Sequence, residues 1–225
     1  MTGKYRYDKV IEWFEQNMPD PRTELHYRNP YELLVAVILS AQCTDARVNI
    51  VTPPLFEAFP SARELSQASI EEIYEYIKSV TFPNNKSKAL KGAATMLMEN
   101  YGGEVPSSID ELTKLPGVGR KTANVMLAVV FGKAAMAVDT HVFRVSERIG
   151  LTKGSKNPVQ TEKTLTSNIP EAKLSTAHHW LILHGRYVCK ARKPLCEECG
   201  LTEFCDHYLN VMSAETKVGK NKNKS

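Results

Sequence analysis

Four of the five cysteines lie close together near the C-terminus, and their spacing constrains the fold of this 225-residue chain more than any other feature. They follow the pattern C-x6-C-x2-C-x5-C, at Cys189, Cys196, Cys199 and Cys205. Cysteines crowded in this way within an intracellular chain are more typical of metal ligation than of a disulfide framework. Zinc sites commonly contain two C-x2-C pairs, whereas this chain has one. The unequal spacing therefore favours a [4Fe–4S] cluster, with zinc as the alternative.

The N-terminus has no apolar core of the kind found in signal peptides. The longest unbroken apolar run, at 33–39, is far shorter than the about 20 residues that a membrane-spanning helix needs. We therefore expect no signal peptide, no transmembrane segment and a cytoplasmic location. The formal net charge of +4 arises from four lysines after residue 216, because the other 25 basic residues match the 25 acidic ones. Overall charge is thus no argument for a nucleic-acid partner, and only local basic groups can indicate one.

Helical periodicity dominates the sequence, and no segment alternates with period two for long enough to predict a strand. The fold class predicted is therefore all-α. Residues 31–42 are apolar on all sides, which predicts a central, buried helix. Pro53 and Pro54 are expected to end or kink the helix that begins at Asp45. The lysine-rich tail, 213–225, has no apolar residues to anchor it and is predicted to be disordered.

Residues 115–125, LPGVGRKTANV, place a glycine turn at the start of a helix. Gly117 and Gly119 flank Val118 and would permit positive φ, leaving backbone N–H groups open to an approaching anion. The sequence is not a nucleotide-binding P-loop, because Arg120 rather than glycine precedes the Lys-Thr pair and a helix rather than a strand precedes the turn. On these glycines alone, an ordinary turn between two helices remains the alternative.

The glycine turn is followed by Lys121 and, eighteen residues later, by Asp139 in the segment AVDTHVFRVSERIGL. This combination resembles the helix-hairpin-helix DNA glycosylases, and the endonuclease III family most closely, over residues 5–208. The resemblance implies that Lys121 is a nucleophile and Asp139 its catalytic partner. It also implies that the hairpin binds the DNA backbone through Gly117, Val118, Gly119 and Arg120.

Nucleophilic lysine must be neutral, although a lysine amine in water has a pKa of about 10.4. We expect partial burial and the positive end of a helix to disfavour the charged form of Lys121. Attack at C1′ would expel the base and leave an imine, from which β-elimination of the 3′ phosphate follows. Asp139 would stabilise developing positive charge or help to deprotonate the amine; the alternative is a purely structural N-cap. His141 is a candidate phosphate contact or, alternatively, a core residue.

The resemblance also implies that the four cysteines bind a [4Fe–4S] cluster. Three cations, Lys190, Arg192 and Lys193, lie between the first two cysteines. A loop fixed at both ends by a cluster presents such cations without the entropic cost of ordering a free loop. We therefore predict a structural cluster that holds a phosphate-binding loop.

Two further segments resemble the parts of this family that read the lesion. An enzyme that extrudes a base from a duplex must fill the gap left behind, and the segment LSAQCTD assigns that role to Gln42. The segment at 80–89 places Phe82 where the family has an apolar wedge. Here the sequence departs from the family, because Thr81 and Pro83 replace the expected glycine and tyrosine. A buried aromatic is the alternative for Phe82.

The substrate class follows from the same resemblance. Lys121 argues against relatives that only hydrolyse the glycosidic bond, and Val37 stands where adenine glycosylases have a catalytic glutamate. We predict a bifunctional base-excision-repair glycosylase that removes oxidised pyrimidines and has abasic-site lyase activity. The alternatives are a uracil, mismatch or alkylpurine glycosylase on the same scaffold, a non-catalytic helix-hairpin-helix DNA-binding protein, or a zinc-stabilised interaction protein.

Two helical domains flanking a DNA-binding cleft are predicted. Residues 23–134 form a six-helix domain with the hairpin, and residues 1–22 with 135–212 form the cluster domain. The expected partner is duplex DNA containing damaged bases or abasic sites, bound by a monomer that is associated with the nucleoid and not with a membrane.

Overall fold

The computed structural model of the protein describes residues 3–211, and the predicted disorder of 213–225 therefore lies outside the described residues. Within 3–211 all regular secondary structure is helical; it includes the eleven α-helices numbered below, three short 3₁₀ helices and a further helical segment at 206–211. The all-α prediction is confirmed. No helix in this part of the chain is both long enough and apolar enough to cross a membrane.

The α-helices are numbered in chain order: α1 (Gly3–Asn17), α2 (Pro30–Ser40), α3 (Asp45–Ala58), α4 (Ala62–Gln67), α5 (Ile70–Ile77), α6 (Pro83–Tyr101), α7 (Ile109–Leu112), α8 (Arg120–Val129), α9 (Thr140–Ile149), α10 (Pro158–Asn168) and α11 (Leu174–Tyr187). The 3₁₀ helices span Glu171–Lys173, Cys196–Glu198 and Thr202–Phe204.

One compact unit spans Thr23–Ala135 and contains α2 to α8. Its centre is α2, in which every residue from Tyr31 to Leu39 is buried, as the apolar pattern predicts. The start of α2 is fixed locally, because the side chain of Asn29 accepts a hydrogen bond of 2.9 Å from the backbone N–H of Glu32. Buried on all sides, α2 packs against α3, α6 and α8.

The two adjacent prolines do not end α3. The helix continues through Pro53 and Pro54 to Ala58, so the first of the two expected outcomes, an end at the prolines, is wrong. Each proline removes one helical hydrogen bond. Val51, Leu55 and Phe56 are nevertheless buried in the core on either side of the prolines, and their burial offsets that local cost.

The second unit combines the segment up to Arg22 with the segment from Met136 onward. An aromatic stack lies in its core, where the rings of Phe14 and Trp180 are 5.5 Å apart and nearly parallel. The indole N–H of Trp180 donates a 2.7 Å hydrogen bond to the carbonyl oxygen of Met18. An ion pair between Arg6 and Asp206 also ties α1 to the segment after the last cysteine. The N-terminal helix is therefore an integral part of this unit.

Candidate functional site

The glycine turn lies between α7 and α8, and Gly117 is required there by the fold. Its φ is +80°, in the left-handed region that favours glycine. A Cβ atom added to Gly117 would lie 2.8 Å from the Cβ of Ala89 and 3.3 Å from Cγ2 of Ile38. Backbone conformation and close packing therefore both exclude a larger residue at this position.

Gly119 differs from Gly117. It is the N-cap of α8, and its φ of −90° and ψ of 177° are extended values that any residue adopts. The positive φ that glycine would permit is therefore adopted at Gly117 and not at Gly119. A Cβ atom added there would meet nothing within 4 Å, and this N-cap makes no side-chain hydrogen bond to the helix. The fold thus leaves open space in front of the first turn of α8, as an approaching anion requires.

Lys121 is exposed, so the expected partial burial is wrong for this structure. It is the second residue of α8, whereas the buried face of this helix begins at Ala123. Arg120 before it is also exposed. Any desolvation of the Lys121 ammonium must therefore come from a bound ligand rather than from the surrounding protein.

Asp139 is the N-cap of α9, so the structural alternative considered for it is a real feature of the fold. Its Oδ1 accepts hydrogen bonds from the backbone N–H groups of His141 at 2.9 Å and Val142 at 2.8 Å. Its Oδ2 lies 2.9 Å from Nδ1 of His141, whose side chain is 30% exposed. The cap fixes the orientation of the carboxylate, and the carboxylate in turn holds the His141 ring in a partly exposed position.

Gln42 and Phe82 are both exposed, and both adopt the left-handed conformation, with φ of 54° and 53°. Phe82 is 60% exposed, so the alternative of a buried aromatic is wrong. A left-handed non-glycine residue costs roughly 1–3 kcal/mol and persists where its surroundings fix it. The fold therefore presents one amide and one aromatic side chain to solvent in a strained backbone geometry.

The four cysteines line one pocket in the second unit. Apolar side chains complete its lining, among them Ile149, Val188 and Leu201. None of the four is in a disulfide in the described structure. Four thiols in a largely apolar cavity form the donor set and the dry surroundings that iron–sulfur clusters use.

The chemistry of these four side chains fits an iron–sulfur cluster, because such clusters are held by four cysteine thiolates. Burial raises the pKa of the Cys199 and Cys205 thiols, and bound iron would supply the positive charge that stabilises their thiolates.

The loop after Cys189 is held by two arginines of α9 that sequence reasoning missed. Arg144 Nε donates to the carbonyl oxygen of Cys189 at 3.2 Å. Arg148 donates to the carbonyl oxygens of Lys190 at 2.7 Å and Ala191 at 3.0 Å. The cations of this loop, Lys190, Arg192 and Lys193, are all exposed. The spacing of four between the two arginines, which puts them on one face of α9, was the available sequence signal.

Comparison with known proteins identifies the family. Residues 35–171 match the family described as "HhH-GPD superfamily base excision DNA repair protein". Residues 189–205, from the first to the last cysteine of the group, match the "Iron-sulfur binding domain of endonuclease III". Endonuclease III of Rickettsia prowazekii is 50% identical over 207 residues, which cover 92% of this chain and 97% of that protein. The chain belongs to the endonuclease III family.

Solved structures agree with this assignment. A trapped covalent endonuclease III–DNA intermediate matches with a TM-score of 0.89 and 44% identity, over 94% of this chain and all of that chain. A thermostable thymine-DNA glycosylase matches with a TM-score of 0.82 and 25% identity, over 92% of this chain and 98% of that chain. As a member of the endonuclease III family, the protein is a DNA glycosylase with abasic-site lyase activity, carries a [4Fe–4S] cluster and binds damaged duplex DNA.

Proposed function

We propose that this protein removes oxidised pyrimidines from duplex DNA and cleaves the resulting abasic site, with Lys121 as the nucleophile. The observation that best supports the proposal is the position of Lys121 in the first turn of α8, directly after a hairpin whose Gly119 leaves open space for a phosphate. Phosphate binding at the hairpin would bring a deoxyribose close to this amine.

The proposed reaction uses the amine of Lys121 and the carboxylate of Asp139. Lys121 Nζ attacks C1′ as the glycosidic bond breaks, and the base leaves with the bonding electron pair and takes up a proton. Asp139 stabilises the positive charge that develops at C1′ or accepts a proton from the amine. Transfer of a second proton from nitrogen to the ring oxygen O4′ breaks the C1′–O4′ bond, opens the sugar ring and gives the imine. Removal of a C2′ proton then expels the 3′ phosphate, and water releases Lys121.

The remaining candidate residues are proposed to hold DNA. The hairpin residues Gly117, Val118, Gly119 and Arg120 would bind the backbone on one strand, and His141 would contact a phosphate near the lesion. The loop cations Lys190, Arg192 and Lys193 would bind further phosphates. Gln42 would fill the gap left by the extruded nucleotide, and Phe82 would wedge between neighbouring base pairs.

The [4Fe–4S] cluster is proposed to be structural, with Cys189, Cys196, Cys199 and Cys205 as its ligands. When bound, it supplies thiolate–iron bonds that close the loop carrying the cations. We further propose that Thr23–Ala135 acts as the hairpin domain and that the unit beginning at Met136 acts as the cluster domain. The enzyme is expected to act as a monomer and to associate with chromosomal DNA.

Borohydride trapping on a duplex that contains one abasic site tests the nucleophile. Reduction of the imine should join wild-type protein covalently to DNA, and Lys121→Ala should form no adduct. Lys114→Ala is a matched control, because Lys114 is an exposed lysine in the same hairpin turn. An adduct formed at the wild-type level by Lys121→Ala would refute the assignment.

Duplexes that each carry one lesion test the substrate class. We expect faster excision of oxidised pyrimidines than of uracil, mispaired thymine or alkylated purines. Removal of mispaired thymine is the second candidate, because the match to the thymine-DNA glycosylase covers 92% of this chain. Faster excision of mispaired thymine than of any oxidised pyrimidine would favour that second candidate.

A further inference from the structure

Lys86 is a buried lysine of α6 whose side chain contacts the C-terminal end of α2. Its Nζ donates hydrogen bonds to the carbonyl oxygens of Leu39 at 2.7 Å and Ala41 at 2.8 Å. The last carbonyl groups of a helix lack partners within the helix and carry partial negative charge. Lys86 is 6% exposed, and this burial lowers its pKa. Its ammonium therefore satisfies the end of α2 directly before Gln42.

Thr81 links the Lys86 ammonium to the segment that carries Phe82, the other exposed residue. Its hydroxyl lies 3.1 Å from Lys86 Nζ and accepts a hydrogen bond from it. The same hydroxyl donates to the carbonyl oxygen of Gln42 at 2.8 Å. Because Thr81 immediately precedes Phe82, one hydroxyl and one ammonium connect the backbone at Gln42 to the backbone at Phe82. We call these two residues, Lys86 and Thr81, the clamp.

The clamp also gives a physical reason for the departure from the family pattern at residue 81. The resemblance to endonuclease III led us to expect glycine there, and glycine has no hydroxyl to make this link. Pro83, the other departure, is the first residue of α6, where its fixed φ suits a helix start. Thr81 and Pro83 therefore restrict the backbone on the two sides of Phe82.

Burial does not explain why Gln42 and Phe82 are held in this way. Both side chains are exposed, and Phe82 at 60% exposure gains little from contacts with the core. An exposed aromatic residue in a left-handed conformation is unfavourable for folding alone. The geometry is instead suited to a ligand that both side chains must enter together.

We propose that Lys86 and Thr81 are positioning residues that hold Gln42 and Phe82 in the conformation in which they enter the DNA duplex. This inference rests on the proposed function, in which Gln42 fills the gap and Phe82 forms the wedge. The clamp acts through the backbone and does not itself contact DNA. It lowers the cost of ordering the two residues when a nucleotide is extruded.

The test compares variants that remove or retain the clamp hydroxyl. Thr81→Val keeps the branched shape and loses the hydroxyl, whereas Thr81→Ser keeps the hydroxyl. Lys86→Met removes the ammonium, and Lys88→Met makes the same change at an exposed position of the same helix. In single-turnover excision of an oxidised pyrimidine from duplex DNA, Thr81→Val and Lys86→Met should be about tenfold slower than wild type. Thr81→Ser and Lys88→Met should retain the wild-type rate.

Two further readouts separate positioning from loss of structure. Borohydride trapping on a single-stranded oligonucleotide with a preformed abasic site needs no extrusion and no gap filling. It should therefore proceed at the wild-type rate in all four variants. On duplex DNA with 2-aminopurine opposite an abasic site, wild type should increase the fluorescence as Gln42 unstacks that base. Thr81→Val should give a smaller increase, and Thr81→Ser should restore it.

The inference fails if Thr81→Val matches wild type in duplex excision and fluorescence. It also fails if trapping on single-stranded DNA falls as much as excision from duplex DNA. Thr81 is exposed, so its variants should fold even where Lys86→Met does not. Failure of the proposed function would look different, because wild-type protein itself would then form no adduct on either substrate.

Discussion

Arg148 on α9 donates a hydrogen bond of 2.7 Å to the backbone carbonyl oxygen of Lys190, and its guanidinium also lies 3.6 Å from Sγ of Cys189. One side chain thus contacts both the first proposed cluster ligand and the first cation of the loop. Arg148 thus holds the backbone of the basic loop, while its three proposed phosphate contacts, Lys190, Arg192 and Lys193, are exposed.

Removing this support should weaken DNA binding without changing the number of cations in the loop itself. We expect Arg148→Met to lower the affinity for duplex DNA about tenfold, because a loosened loop must be ordered on binding. Fluorescence anisotropy titrations at several salt concentrations would measure this, with the visible absorbance of the cluster confirming iron content. Arg63→Met, at an exposed position of the other unit, is the control. Unchanged affinity in Arg148→Met would show that the loop orders without Arg148.

The two glycines of the hairpin should respond differently to alanine. Gly117→Ala should destabilise the protein by roughly 1–3 kcal/mol, because φ is +80° and the new Cβ would lie 2.8 Å from that of Ala89. Gly119→Ala should leave the melting temperature unchanged, since its backbone is extended and the surrounding space is open. It should nevertheless weaken DNA binding by obstructing the phosphate. Thermal melting and anisotropy on the same samples would separate the two effects, and full DNA affinity in Gly119→Ala would exclude a phosphate contact there.

Asp139 combines a structural role with a proposed catalytic one, and two substitutions distinguish them. Asparagine caps helices well, so Asp139→Asn should keep α9 intact while turnover falls about 10²-fold or more. Asp139→Ala should also lose about 1 kcal/mol of stability. Single-turnover excision, DNA affinity and chemical denaturation of both variants would test this. A catalytic role would be ruled out if Asp139→Asn lost affinity alone and kept its rate on bound substrate.

Iron removal should lower the thermal stability of the unit that carries the four cysteines and leave that of the other unit unchanged. The two tryptophans of the chain, Trp13 and Trp180, both pack in the core of the cluster unit. Loss of the cluster should therefore lower the melting temperature recorded by tryptophan fluorescence. Cys199→Ser should behave in the same way, whereas Cys43→Ser, in the other unit, should keep its visible absorbance and its melting temperature. Equal melting of the iron-free and iron-loaded proteins would contradict a stabilising role.

Local rules predicted much of this protein correctly. The all-apolar pattern at 31–42 predicted the buried helix α2, and the cysteine spacing predicted a metal cofactor. The proline rule was insufficient at Pro53 and Pro54, where α3 continues because the residues around them are buried. The reason is that propensity acts within a few residues, whereas burial depends on the whole core.

The sequence by itself determined the helical class, the family and the residue types available for chemistry, because periodicity and spacing are properties of the chain alone. Only the tertiary structure decided that Lys121 is exposed, that Gly119 is extended and that Asp139 caps a helix. It also revealed the contacts of Lys86 with Leu39 and of Arg148 with Lys190, which join residues 47 and 42 positions apart. Such contacts depend on how helices pack, and packing follows from the burial of many side chains at once rather than from any one segment.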